Sequence, residues 1–450
     1  MKFRDWLRPG IKVKRWVVFA IFGIILIIFG LNELSRHMLY NWYYKGFYIL
    51  LNVTGIFILY ISVTEGIKSI MALINSGYLK FSIDSKKLES LIYEKRLLVK
   101  GPKIVVIGGG TGLSTMLRGL KYYTSNITAI VTVADDGGGS GDLREDLGIL
   151  PPGDIRNCIL ALADTEPLME ELLQYRFEEG RLKDQSFGNL FLAAMDGISD
   201  NFEEAVKKMS SVLAVTGKVM PVTLENMVLK CELKNGNIVK GESNIPKEAI
   251  SQKSPINKIM IEPKDAKALV DSVEAIKTAD AIILGPGSLY TSVIPNLLVK
   301  DIGEAIKKTS AIKIYVSNIM TQPGETDDYT VVDHVKAIID HSYDGVIDYV
   351  IANIGEIGKE LEEKYLEENS KLVTKDEKEL EKLNIKLIES DFVKTTKGLI
   401  RHDSEKLASV IVETIMDKKL FYDRKKIIEY FYLSERLKQK QNQKQNQKKK

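Results

Sequence analysis

Lys103–Tyr123 reads KIVVIGGGTGLSTMLRGLKYY. Ile104–Ile107 is all β-branched, as expected of a strand buried in a parallel sheet. Gly108, Gly109, Gly110, Thr111 and Gly112 follow, and then a stretch with helical spacing. Strand, glycine turn and helix in that order predict a mononucleotide-binding turn. Glycines let the backbone approach a phosphate, and the helix start offers free N–H groups. The turn departs from G-x-G-x-x-G, because Thr115 stands at the third glycine position, and no G-K-[ST] follows, which excludes a Walker P-loop.

Working outward, Ile127–Val133 (ITAIVTV) reads as a second strand, 155–177 and 187–196 as helical, and Ala281–Leu284, Lys313–Ser317 and Tyr349–Ala352 as further strands. Two strand-like runs between Thr223 and Ser243 flank Asn235-Gly236, a type I′ hairpin signal and an antiparallel addition. Lys371–His402 reads as a small α/β appendage. The alternation predicts an α/β fold, a Rossmann-like, doubly wound, mostly parallel sheet.

In such a sheet ligands bind beyond the carboxyl ends of the strands, so the loops there carry the candidates. Asp135-Asp136 precedes Gly137-Gly138-Gly139-Ser140-Gly141; an acid there would bind a ribose hydroxyl, or the pair would hold Mg²⁺ beside a diphosphate. Pro151–Asn157 (PPGDIRN) offers Asp154, whose local role would be a helix N-cap, with Arg156 and Asn157. Asn189 opens another helix in SFGN. After the strand at 281–284, Gly285-Pro286-Gly287-Ser288 is a second phosphate-type turn. Ser288, Thr291 and Ser292 add hydroxyls there, and Tyr290 would stack on a base or sugar. Two such turns on one sheet favour a nucleotide diphosphate. His334 and His341 read as surface or packing residues, and no nucleophile elbow, H-E-x-x-H or kinase signature is present.

The N-terminus differs in kind. Trp16–Leu31 is an uncharged apolar run, and Gly46–Val63 is a second, each near the lower limit for a membrane span. Aromatics flank both, and six cations precede the first, against Arg36 and Lys45 in the intervening loop. This predicts a two-helix transmembrane hairpin with both ends and the main domain cytoplasmic. The formal net charge of +3 conceals basic ends, Lys2–Arg15 and Lys438–Lys450, around an acidic body. An acidic body argues against a nucleic-acid surface. Two cysteines, Cys158 and Cys231, build neither a disulfide framework nor a zinc site.

KIVVIGGGTGLSTMLRGL, ITAIVTVADDGGGSGDLR, PPGDIRN, SFGNL, IILGPGSLYTSVIPNLLV and SNIMTQPGETD occur in this order from Lys103 to Asp327. Together they closely resemble the YvcK-like branch of the YvcK/CofD family, the gluconeogenesis factors, over roughly residues 102–420. The resemblance implies a regulator of cell shape and of cell-wall precursor supply that binds UDP-sugars such as UDP-N-acetylglucosamine. It needs no cofactor for this, and a partner enzyme of amino-sugar synthesis and a homo-oligomer are expected. The CofD branch implies the alternative, a phospholactyl or nucleotidyl transferase acting on a nucleotide diphosphate with Mg²⁺. Asp135 matches the acid near metal and diphosphate in that branch, with Asp136 a second catalytic candidate. Gly110, Thr111 and Gly112 match the nucleotide turn, and Asn189 the SxGN position. Gln185 and Gly139 stand where many members carry His and Ser. An NAD-dependent dehydrogenase is a third reading, against which the fingerprint fails at its third glycine.

The expected organisation is a basic N-terminus (1–15), the hairpin (16–63), a helical connector (64–101), the nucleotide-binding domain (102–420) and a charged helix with a disordered basic tail (421–450).

Overall fold

A computed structural model describes residues 13–36, 42–73, 98, 101–165, 167–396 and 398–419. The start of the basic N-terminus, most of the connector, His37 and the segment expected as a charged helix and tail lie outside the described residues. The chain divides into two units at Glu94/Lys95.

In the first unit, helices Val13–Arg36 and Trp42–Leu73 pack together. Gly23 meets Gly55 while Gly30, seven residues on, meets Asn52, so they run antiparallel. The approach is close enough that a Cβ at Gly23 would lie 2.9 Å from the Gly55 carbonyl oxygen. The seam is made of small residues, with Gly23, Gly30, Gly55 and Ser62 buried, while Val18, Phe22, Ile28, Ile56 and Phe57 face outward, each more than half exposed. This is the reverse of a water-soluble helix pair, which buries its large apolar side chains. Both helices are long and apolar enough to cross a membrane, over Trp16–Ser35 and Tyr44–Gly66.

The second unit is built on seven strands: β1 (Ile104–Gly108), β2 (Ile127–Val131) and β3 (Lys218–Pro221), then β7 (Ala281–Leu284), β8 (Ile312–Val316), β9 (Tyr349–Asn353) and β10 (Lys386–Ser390). They lie in the order β10-β9-β8-β7-β1-β2-β3, and every neighbouring pair is parallel. β1 and β7 are buried at every residue, which their unbroken apolar runs require. The chain runs outward from β1 to β3 and then restarts at β7 on the other side of β1. This reversal makes a topological switch point between β1 and β7, the expected place for a ligand crevice.

β4 (Val228–Leu233), β5 (Ile238–Lys240) and β6 (Ile256–Glu262) form a separate antiparallel sheet in the order β5-β4-β6. The hairpin at Asn235-Gly236 is present, but it does not add to the main sheet. Its turn is not type I′ either: Gly236 is left-handed and Asn235 is not, because the Asn235 side chain instead accepts the Asn237 N–H at 3.0 Å. Two further expectations need correction. The 155–177 stretch is two helices, Gly153–Leu162 and Pro167–Gln174. The 371–402 appendage is divided: β10 extends the main sheet, and only β11 (Val393–Thr396) and β12 (Leu399–His402) stand apart as a hairpin.

Candidate functional site

Both glycine turns converge at the switch point. Gly285 follows β7 and donates its N–H to Ile107 O of β1 at 2.9 Å. The turns then pack backbone to backbone, since a Cβ on Gly112 would lie 2.7 Å from the Pro286 carbonyl oxygen. Glycine there is the condition for bringing two turns into one site.

The helix Gly110–Leu120 starts at this contact, where Gly109 has no side chain to cap it, and its first residues border a cavity of about 400 Å³. Gly110, Thr111, Gly112, Gly287 and Ser288 line it. A helix start with glycine at the turn has the backbone chemistry that suits an anion. The second turn is held from behind: Asn318 Oδ1 accepts the Gly287 N–H at 3.3 Å, its Nδ2 donates to Gly287 O at 2.9 Å, and Gln322 Nε2 donates to Ser288 Oγ at 2.8 Å. The opposite wall comes from late in the chain. Tyr365, Glu368, Ser370 and Arg401 reach the cavity, and Ile400 N–H donates to the Tyr365 hydroxyl at 2.9 Å, tying the β11–β12 hairpin to the helix Lys359–Glu367. Among the described residues that line the cleft, Arg401 is the one Lys or Arg. Sequence reasoning missed Tyr365 and Arg401, because neither sits in a motif.

Tyr290 is a correction. Leu289–Val293 forms a π-helical turn that sends its ring into the core, where it is 3% exposed. Its hydroxyl meets that of Tyr329 at 2.7 Å and its ring packs edge-on to His341. It is not free to stack on a base. Thr291 and Ser292 are buried with it.

On the β2 side of the Gly109–Gly110 peptide lies a second polar group. Asp154 is not an N-cap; Pro152 holds that position and Asp154 sits one residue inside the helix. A Cβ on Gly109 would collide with Asp154 Oδ2, and the Gly110 N–H donates to this carboxylate. Burial pushes Asp154 up to about 6, the neighbouring Asp135 charge adding to the effect. Asp135 Oδ1 accepts the Gly137 N–H at 3.0 Å. Asp136 has a structural role as well, its Oδ2 accepting the Glu242 N–H at 3.0 Å and its Oδ1 the Ser243 N–H at 2.9 Å. It pins the small sheet to the acid loop. Arg156 is buried, its guanidinium lowered to about 10 by burial and by Arg176, with Nε unpartnered. Asn189 is buried too, with Oδ1 unpartnered. The glycine run after Asp136, expected as a loop, opens the helix Gly138–Leu147, in which a Cβ on Gly139 would lie 2.7 Å from Gln185 Oε1.

Among the described residues no three His, Cys, Asp or Glu gather as a metal cage. Mg²⁺ carried on a diphosphate needs less, one or two carboxylates beside phosphate oxygens. Asp154, against Gly109, and Asp135, whose charge acts on it, are of the donor type this needs.

Residues 104–393 match the family model described as 2-phospho-L-lactate transferase CofD. A Clostridium acetobutylicum protein provisionally named gluconeogenesis factor is 69% identical over 440 residues, 98% of either chain, so the likeness extends through the N-terminal helices. The Bacillus subtilis gluconeogenesis factor is 48% identical over 317 residues, 70% of this chain and 99% of its own. A crystal structure of a UPF0052 family member from Bacillus halodurans superposes with a TM-score of 0.66 at 48% identity, over 68% of this chain and 98% of that one.

Proposed function

This chain is a member of the CofD family, with close relatives named gluconeogenesis factor, and from that premise we propose that it is a UDP-sugar-binding regulator of cell-wall precursor supply and cell shape. The observation that carries this reading is the convergence of the two glycine turns on one helix start, with Arg401 across the cleft. A diphosphate suits that arrangement: its oxygens accept the first-turn N–H groups and its charge faces the guanidinium. UDP-N-acetylglucosamine is the ligand of choice. A partner enzyme of amino-sugar synthesis would read the bound state, and the protein would act as a homo-oligomer. The inside-out seam of the N-terminal helices supports a membrane anchor at 16–63 that keeps the body at the cytoplasmic face.

The second reading is a transferase, favoured by Asp154 against the Gly109–Gly110 turn with Asp135 near enough to act on its charge. Those two carboxylates would hold Mg²⁺ on a nucleotide diphosphate, where the ion would neutralise charge on the leaving group. The chain itself would orient the donor and exclude water.

Calorimetric titration of the full chain in detergent with UDP-N-acetylglucosamine, GDP and NAD, with and without Mg²⁺, separates the readings. Absence of UDP-sugar binding sinks the regulator. Binding indifferent to Mg²⁺ and to Asp135→Asn, without turnover, counts against the transferase. The anchor has its own test, in which the full chain stays with membranes after carbonate washing and a variant lacking residues 16–63 is released.

A further inference from the structure

Glu325 stands where the two loops that build the cleft meet. It belongs to the loop after β8, whose Thr321, Gln322 and Pro323 line the cavity. Its carboxylate receives the backbone N–H of Tyr290 and lies 3.4 Å from the Thr291 hydroxyl. Both partners belong to the π-helical turn that continues from Gly287 and Ser288 of the opposite loop. The residue is 8% exposed and its Oε2 has no partner. The titratable groups that face it are Asp327 on its own loop, Glu242 beyond the shared Thr291 hydroxyl and the Cys231 thiol on β4. None of these is a cation, so a negative charge on Glu325 is offset only by the Tyr290 N–H and the Thr291 hydroxyl, and burial outweighs both. π-turns are themselves rare and costly, and persist where packing holds them.

We propose that Glu325 is a proton-operated latch on the ligand cleft. Protonated, it lets the π-turn and the β8 loop close on one another and shapes the Gly287–Ser288 wall; ionised, it forces water between them and weakens the site. This deepens the UDP-sugar reading and rests on it, by giving that site a regulator. Burial pushes the Glu325 carboxyl up to about 7, which places the change within the range a cytoplasm explores.

If only the closed form binds, apparent affinity scales with the protonated fraction. Titration of the full chain with UDP-N-acetylglucosamine should then show affinity falling about tenfold between pH 6 and pH 8. Glu325→Gln, which keeps shape and removes the charge, should hold the pH 6 affinity throughout. A flat wild-type profile overturns the latch. So does a slope that survives in Glu325→Gln, since that slope would then belong to another group such as Glu242. If no UDP-sugar binds at any pH, it is the functional reading that has failed. The latch is then judged on thermal melting of the ligand-free chain. The wild-type midpoint should drop from pH 6 to pH 8 by more than that of Glu325→Gln, in which only other raised carboxyls such as Glu242 remain; parallel curves overturn it.

Discussion

Asn318 grips one peptide from both sides: its Oδ1 takes the Gly287 N–H at 3.3 Å and its Nδ2 reaches the Gly287 carbonyl at 2.9 Å. The second glycine turn is therefore set before any ligand arrives, by a side chain from the next strand's loop. Asn318→Ala removes both bonds, each worth about 1 kcal/mol net. We expect a fall of about tenfold or more in UDP-sugar affinity, together with a lower melting temperature. Calorimetry and thermal melting check the two effects.

Arg401 should behave differently. It lies on the cleft wall and is only partly buried, and its guanidinium donates to Ile400 O of its own strand, 3.1 Å away. Arg401→Ala should weaken diphosphate binding by about 1.5–3 kcal/mol, the worth of a charge-assisted hydrogen bond. The melting temperature should stay put, and uridine, which has no phosphate, should be unaffected. An equal loss for uridine would mean that Arg401 does not face the phosphates.

Gly112→Ala tests the contact between the turns. The new methyl would sit 2.7 Å from Pro286 O and 3.2 Å from Gly287 N, both backbone atoms with no easy way to yield. Overpacking of this kind costs about 1–3 kcal/mol. Gly358→Ala is the control, since a Cβ there meets nothing within 4 Å. Thermal melting should separate the two variants cleanly.

His402 ends β12, is 7% exposed and packs against Phe392. Burial lowers its imidazole to about 4, against a small opposing effect from the Ser317 backbone. The folded protein therefore resists protonating this ring while the unfolded chain does not. The stabilisation is full above pH 6.5 and drains away as the pH falls toward 4, by about 3 kcal/mol in all. His402→Phe should flatten that part of the stability profile, measured by chemical denaturation between pH 7 and pH 4.

The fold was legible because β1 and β7 are buried on both faces and so appear in the sequence as unbroken apolar runs. The glycine turns were legible for a related reason: a turn at a strand's end must keep its backbone bare. What was hidden depends on partners distant in sequence. Asp135 and Asp136 are chemically alike, and only the amides of Glu242 and Ser243 decide that Asp136 is a clamp. Gly139 looks like loop composition, yet Gln185 is what requires it inside a helix. Tyr290 looks available until the π-turn aims it inward. Arg401 carries no local signature, since a hairpin far along the chain delivers it.

One packing detail sets an order of events during synthesis. The helix Gly110–Leu120, which opens the body, lies against Ser404–Lys419, the last described helix, so closely that a Cβ on Gly119 would collide with the Ser404 carbonyl. β1 also waits for β7, its neighbour across the switch point. The first glycine turn emerges from the ribosome early, but its far wall and its supporting helix come last. A nascent chain, or one that stops before β12, therefore has no complete cleft.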